Sequence, residues 1–414
     1  MPDIGTQAAR ILERIETLAG FSELDGGLTR VAYSEECRAA SEAVIAWMTE
    51  AGMEARLDAV GNVVGRYEGG TPGLPCLMMG SHLDSVRDAG KYDGPLGVLV
   101  PLACVEALHE AGRRLPFAVE IVGFVDEEGV RFRSTLLGSR AIAGTFEDKA
   151  LEATDDDGIS VAQAMRDFGL DPAAIPTAAR KGEDVHAYVE FHIEQGPVLE
   201  DEDLPVGVVT AISGQTRLIA TIEGTAGHAG TVPMTLRRDA LAAASECILA
   251  VESLCRDGPP GLVGTVGDLA VSPGVSNIIA GGTRFSLDIR SPVDSERRAA
   301  VSSIKLAMQE IADRRGLGLS VETTFDSDSC GCAPWLMDQL GAAIQAESLP
   351  LRQLPSGAGH DGMAMIALTD IAMLFMRCEG GISHNPLEAV SQDDVGTGLR
   401  VMQRFIEQFE PERA

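Results

Sequence analysis

Three apolar runs, each leading into histidine or carboxylate side chains, constrain this chain more than any other feature. Leu77 to Gly80 follows Pro75 and runs into His82 and Asp84. Ala118 to Val125 runs into Asp126, Glu127 and Glu128, and Ala187 to Ile193 carries His192 among apolar neighbours. A short apolar run bounded by turn signals reads as a buried strand. Helical patterns separate the runs. Ala8, Ile11, Leu12, Ile15 and Leu18 share one face after a possible cap at Thr6, a second helix starts near Ser34, and a third spans Pro95 to Gly112. Such alternation predicts an α/β domain with a buried, mostly parallel sheet, whose ligands gather beyond the carboxyl ends of the strands.

His82 and Asp84 are two apart, so on an extended backbone they point the same way, and one can bind a metal while the other hydrogen-bonds behind it. Asp93 sits in a Gly-bracketed loop before Pro95, which suits the first turn of a helix. A carboxylate there can bridge two cations, because each oxygen offers lone pairs. The adjacent carboxylates at 126–128 repel one another unless a cation lies near. The last segment adds His360 and His384 in Gly-rich loops on either side of an apolar strand, Ile371 to Met376. Five of the seven histidines thus fall in polar or Gly-rich segments, and His109 and His186 are expected at the surface. Together, His82, Asp93, Glu128, His192 and His384 make a mixed imidazole–carboxylate set. It suits zinc, manganese or cobalt and excludes a purely oxygen-ligated calcium site. Five ligands exceed what one open catalytic site needs, so two metals sharing Asp93 is the simpler arrangement. Glu127, beside a ligand but directed elsewhere, can take a proton from water.

A chain of 414 residues exceeds the size at which one core stops growing. From about Ala211 to Phe325 the pattern reads β-α-β-β-α-β, the ferredoxin-like order, with strands expected at 261–271 and 283–290 and helices at 236–255 and 294–316. The ligand-bearing pattern then resumes. The expected division is a catalytic domain of 1–210 and 326–414 with an inserted domain of 211–325. The 33 basic and 62 acidic side chains give a net charge of −29. That field repels phosphate backbones and anionic lipid, which excludes nucleic acid and membrane partners. The longest apolar run, Leu96 to Leu108, is too short for a bilayer and carries Glu106. Eight cysteines without recurring Cys-x-x-Cys pairs argue against both a thiolate zinc site and a disulfide framework. With no export pattern near Met1, a cytoplasmic location is expected.

These residues carry a resemblance. His82-x-Asp84, Tyr92-Asp93-Gly94, Glu127-Glu128-Gly129 and His384 look like the dinuclear metallopeptidase-like hydrolases of the aminoacylase and carboxypeptidase-G type. Phe191-His192-Ile193-Glu194-Gln195-Gly196-Pro197, Gly227-His228-Ala229-Gly230, Ser356-Gly357-Ala358-Gly359-His360-Asp361 and Ser383-His384-Asn385-Pro386 resemble the N-carbamoyl-L-amino acid hydrolase and allantoate amidohydrolase branch. The resemblance spans essentially the whole chain. Two departures are Asp126, where Glu or an apolar residue is expected, and Gly362, where Ala is usual.

The resemblance implies one divalent metal held by His82, Asp93 and His192 and a second by Asp93, Glu128 and His384: zinc or manganese, with cobalt an option. It implies that Asp84 orients His82, that Glu127 is the general acid/base, and that His228 stabilises the oxyanion, often from the partner subunit. Gln195, Asn277, Arg290, Gly359 and His360 would hold the substrate, Arg290 by gripping its carboxylate as a fork. The inserted domain would serve as lid and homodimer interface, hinged near Val209 and Asp326. The implied reaction is hydrolysis of an N-carbamoyl or ureido group beside a carboxylate, as in allantoate or an N-carbamoyl-L-amino acid. A dipeptidase or N-acyl amino acid deacylase could use the same core. A non-catalytic metal-binding protein is a third reading, which a missing ligand or a missing Glu127 would favour; neither is missing.

Overall fold

The computed structural model describes residues 3–412. The chain forms two compact units, one of Met1–Thr210, Cys332–Leu354 and Ala358–Ala414, the other of Ala211–Gly331 with Pro355–Gly357. The second unit runs past the expected 325, because its last long strand continues to Ser327 and Cys330 then pairs with Ile212.

In the first unit the strands are β1 (Glu54–Leu57), β2 (Val63–Tyr67), β3 (Cys76–His82), β4 (Ala118–Phe124), β5 (Val185–Ile193) and β6 (Val206–Ile212), followed by Ile371–Met376. The sheet order is β1-β2-β4-β3-β5, then Ile371–Met376, then β6. β4, β3, β5 and Ile371–Met376 are mutually parallel, and the pairs outside them are antiparallel. β3, β4 and Ile371–Met376 are buried at every position, which is why their sequences read as continuous apolar runs. Register aligns their carboxyl ends: His82 lies opposite Phe124, and His192 opposite Phe375.

The helix Pro95–Glu110 packs on β3 and β5 with nearly all its residues buried. Its close approach needs Gly97, since a Cβ there would meet the Phe191 carbonyl oxygen at 2.3 Å and the Ser81 Cβ at 2.5 Å. Gly94, with φ 86°, turns the chain from Asp93 into the helix, and a Cβ on it would press on the His82 ring at 2.6 Å. Helices Ile4–Ala19 and Gln392–Gln408 cover the same layer. The first begins one turn earlier than the Thr6 cap implied, because Asp3 accepts the Thr6 amide.

The second unit is an antiparallel sheet in the order Leu269–Ser272, Gly282–Ser291, Gly214–Glu223, Gly318–Ser327. Leu218, Ala220 and Ile222 alternate inward, as do Phe285, Leu287 and Ile289, against apolar residues of the helices Ala240–Arg256 and Asp294–Arg315. The single strand expected at 261–271 is two, Val263–Thr265 and Leu269–Ser272, each pairing with a different part of Gly282–Ser291. Among the described residues no helix is long and apolar enough to cross a membrane.

Candidate metal centre and active site

The parallel strands deliver their ligand-type side chains at one edge. His82, the last residue of β3, places its ring Nδ1 3.0 Å from the backbone oxygen of Asp84. His192, near the end of β5, places Nδ1 2.9 Å from the backbone oxygen of Ile193. A carbonyl only accepts, so each Nδ1 carries the proton and each Nε2 presents a lone pair. Both lone pairs face the same carboxylate oxygen: Asp93 Oδ1 lies 3.3 Å from His82 Nε2 and 3.2 Å from His192 Nε2. His192 Nε2 is buried with no hydrogen-bond partner. With both imidazoles neutral, three acceptors converge with no donor between them, an arrangement that a divalent cation satisfies, and imidazole with carboxylate is a donor set that zinc or manganese takes.

The other oxygen of Asp93 faces a second group. Oδ2 lies 3.5 Å from His384 Nε2, which lies 3.3 Å from Glu128 Oε1. Donor atoms of His82, Asp93 and His192 lie within 4.8 Å of one another, and so do those of Asp93, Glu128 and His384. Asp93 thus stands between two cation-sized groups. His384 enters from a loop with a left-handed backbone (φ 54°) and is half exposed, whereas His82 and His192 are buried.

Burial disfavours the charged form of His82, but its bond to Asp93 and the charges of Glu127, Asp84 and Asp93 outweigh this and raise its pKa well above the usual imidazole range. Burial pushes the Glu127 carboxyl well above the usual range; His82 opposes that shift, while Glu128, Asp361 and Asp84 reinforce it. A carboxylate so raised takes up a proton readily, as general-base work requires.

Several side chains sit differently from expectation. Asp84 orients His82 with its backbone oxygen; its carboxylate instead accepts the amides of Glu127 and Glu128, at 3.1 Å each. Gln195 is turned onto Asp93, donating Nε2 to Oδ2 at 2.5 Å. His360 is 2% exposed and packs edge-on behind His192 with ring centroids 4.6 Å apart, while Gly359 beside it is exposed. His186 is a half-buried strand residue against Phe117 and Phe409, whereas His109 is exposed. In the second unit, Arg290 lies on the sheet face opposite Phe285, Leu287 and Ile289, as the alternation required. It is not free, however: Asp288 holds Nε and Nη2 as a fork at 3.0 and 2.9 Å, and Nη1 donates to the Gly357 oxygen at 2.6 Å. Asn277 stands in an exposed turn beside His228, its backbone oxygen accepting the Ala229 amide.

Sequence reasoning missed four groups. Glu190 is fully buried and accepts from Ser81 Oγ at 2.9 Å, Tyr188 Oη at 3.1 Å and the Gly362 amide at 3.3 Å. Its signal was a lone carboxylate inside an apolar strand. Asp361 is fully buried, and burial, then the Glu190 charge, push its carboxyl well above the usual range. Ser383 donates to Asp93 Oδ2 at 2.5 Å, and Glu388 accepts the amides of Tyr92 and Asp93. Neither pairing leaves a local pattern to find.

Comparison with known proteins agrees with this geometry. The model of peptidase family M20/M25/M40 matches residues 78–408. An N-carbamoyl-L-amino-acid amidohydrolase of Paenarthrobacter aurescens is 41% identical, covering 97% of both chains. An allantoate deiminase of Arabidopsis thaliana is 40% identical over 95% of this chain and 81% of its own. A solved amidase of the hydantoinase/carbamoylase family from Burkholderia multivorans superimposes with a TM-score of 0.91 at 31% identity, covering 96% of this chain and 97% of its own. The chain therefore belongs to peptidase family M20/M25/M40, on the branch of the N-carbamoyl-L-amino acid amidohydrolases and allantoate deiminases.

Proposed function

We propose that this protein is a metal-dependent amidohydrolase that removes the carbamoyl group from a carboxylate-bearing ureido substrate, such as an N-carbamoyl-L-amino acid or allantoate, releasing ammonia and carbon dioxide. The observation that carries the reading is Asp93, with each oxygen turned to a separate imidazole–carboxylate group. In this reading His82, Asp93 and His192 hold one divalent cation and Asp93, Glu128 and His384 a second, with zinc or manganese the best match and cobalt a substitute. Held there, such ions would polarise a carbonyl oxygen and lower the pKa of a water molecule towards about 7.

The remaining work falls to side chains. Glu127 takes the proton of the attacking water and returns it to the departing nitrogen, so that one residue serves as base and then acid. Asp84 sets the backbone from which Glu127 projects. His228 donates to the oxygen on which charge develops, and Arg290 grips the substrate carboxylate with the N–H groups that Asp288 and Gly357 leave over. Asn277, Gln195, Gly359 and His360 complete the substrate-holding set, His360 by backing His192. The second unit, of ferredoxin-like β-α-β-β-α-β order, acts as lid and homodimer interface in a cytoplasmic enzyme. The support is the constellation around Asp93 together with the names of the relatives on its branch. The test is a substrate panel: ammonia release from allantoate and N-carbamoyl amino acids should far exceed the cleavage of N-acetyl amino acids or dipeptides. The reverse order would assign the chain to deacylation or peptide hydrolysis.

A further inference from the structure

Glu388 ends the loop that starts at His384, and its carboxylate is buried, at 4% exposure. Its Oε1 accepts two backbone N–H groups from almost 300 residues away in the chain, Tyr92 at 2.7 Å and Asp93 at 3.1 Å. The approach is close: a Cβ on Gly90 would lie 2.3 Å from the Glu388 Cβ. On the other side of His384, the Ser383 hydroxyl donates to Asp93 Oδ2 at 2.5 Å. One loop therefore holds Asp93 twice, by its amide and by its carboxylate, while presenting His384. The Glu388 Oε2 is buried without a hydrogen-bond partner. Keeping a carboxylate there has an unfavourable desolvation cost that the two amide bonds must offset. His384 is half exposed, so packing alone holds its ring weakly.

Given the ligand set proposed above, we infer that Glu388 is a positioning residue that locks the Asp93 backbone to the His384 loop and so sets the affinity of the Asp93–Glu128–His384 group for a divalent cation. The group of His82, Asp93 and His192 keeps two buried imidazoles, each oriented by a backbone carbonyl, and depends on Glu388 less. Groups that orient a ligand characteristically change metal affinity by about 10–100-fold when removed.

The test uses full-length protein loaded with Zn²⁺ or Co²⁺, comparing wild type, Glu388→Ala, Glu388→Gln and Gly90→Ala. The readouts are ions per chain after dialysis, affinity by chelator competition and the visible absorption of the Co²⁺ form. Wild type should hold two ions. Glu388→Ala should bind the weaker ion about 10–100-fold less tightly, with a changed Co²⁺ spectrum. Glu388→Gln, which keeps an acceptor oxygen, should recover most of the affinity. Gly90→Ala keeps the carboxylate but displaces it, and should resemble Glu388→Ala; it carries the test if the alanine variant does not fold. Two ions at unchanged affinity in both Glu388→Ala and Gly90→Ala would overturn the role of Glu388. A wild type holding fewer than two ions would overturn the ligand set instead.

Discussion

Asp84 Oδ1 accepts the backbone N–H of Glu127 at 3.1 Å, and Oδ2 accepts that of Glu128 at the same distance. One buried carboxylate thus fixes the loop that carries both the proposed base and a proposed ligand, while the Asp84 backbone oxygen separately orients His82. Asp84→Ala should therefore leave the His82 ring in place yet release the 127–128 loop. Two partly buried N–H groups lose their acceptor, each at about 1 kcal/mol or more. The expected loss in kcat is at least about tenfold, 1.4 kcal/mol being one decade. Kinetics beside metal analysis would check it, and an Asp84→Ala enzyme with wild-type kcat would show that the loop holds itself.

Glu127 and Glu128 are neighbours with different tasks. Glu127→Gln keeps the shape but cannot accept a proton, so metal content should survive while turnover falls by roughly 10²–10⁴-fold. Glu128→Gln should weaken metal retention, because Glu128 Oε1 is the carboxylate oxygen beside His384. Equal metal loss in both variants would contradict this division of roles.

Arg290 is pre-set by Asp288, which holds its fork edge-on, and by the Gly357 oxygen; together they leave two of its five N–H groups for a ligand. Arg290→Ala should raise KM for carboxylated ureido substrates by about 100-fold, in line with a few kcal/mol for an unpaired, desolvated carboxylate. A neutral amide analogue should be a poor substrate of wild type and nearly indifferent to the change. Equal losses on both substrates would mean that Arg290 serves the fold.

In the second unit Arg297 is fully buried and paired with Asp294, Asp326 and Asp328. The Thr216 hydroxyl and then Arg297 hold the Asp326 carboxyl below its usual range against some burial, and the Ser329 amide and Arg297 outweigh burial to do the same for Asp294. A depressed carboxyl stabilises the fold above its unfolded pKa, about 3.9, and loses that contribution as pH falls through the folded value. Removing the buried guanidinium takes its stem out of the packing and leaves three partly exposed carboxylates without their counter-ion, so Arg297→Ala should destabilise this unit by about 1–3 kcal/mol at pH 7. Its urea midpoint should also depend less on pH below about 4 than that of wild type. A variant with the wild-type acid profile would show that these carboxylates are held by their backbone and hydroxyl partners alone.

What could be read in the chain was whatever repeats with a local period or sits at a run's end. β3, β4 and β5 are buried on both faces, so they stand out as unbroken apolar stretches, and His82, Glu127 and His192 follow from lying at their ends. Gly94 and Pro95 marked Asp93, because a turn with positive φ favours glycine and the first turn of a helix accepts proline. Partners across long separations left no such trace. Alternation along Gly282–Ser291 put Arg290 on the outer face but could not reveal that Asp288, two residues earlier on that face, would hold its fork. Likewise nothing near Glu388 or Ser383 announces Asp93, and His360 reads as a loop histidine until the fold buries it behind His192. The break at 266–268 in the second unit was hidden because both halves pair with one partner strand.

The most direct test of the Asp93-centred site is ammonia release from an N-carbamoyl-L-amino acid by protein stripped of metal and then titrated with Zn²⁺ or Mn²⁺. The predicted result is no turnover when stripped, a rise to a maximum at two ions per chain, and no recovery at any metal load in Asp93→Ala. Full activity in the stripped protein, or in Asp93→Ala, would contradict it.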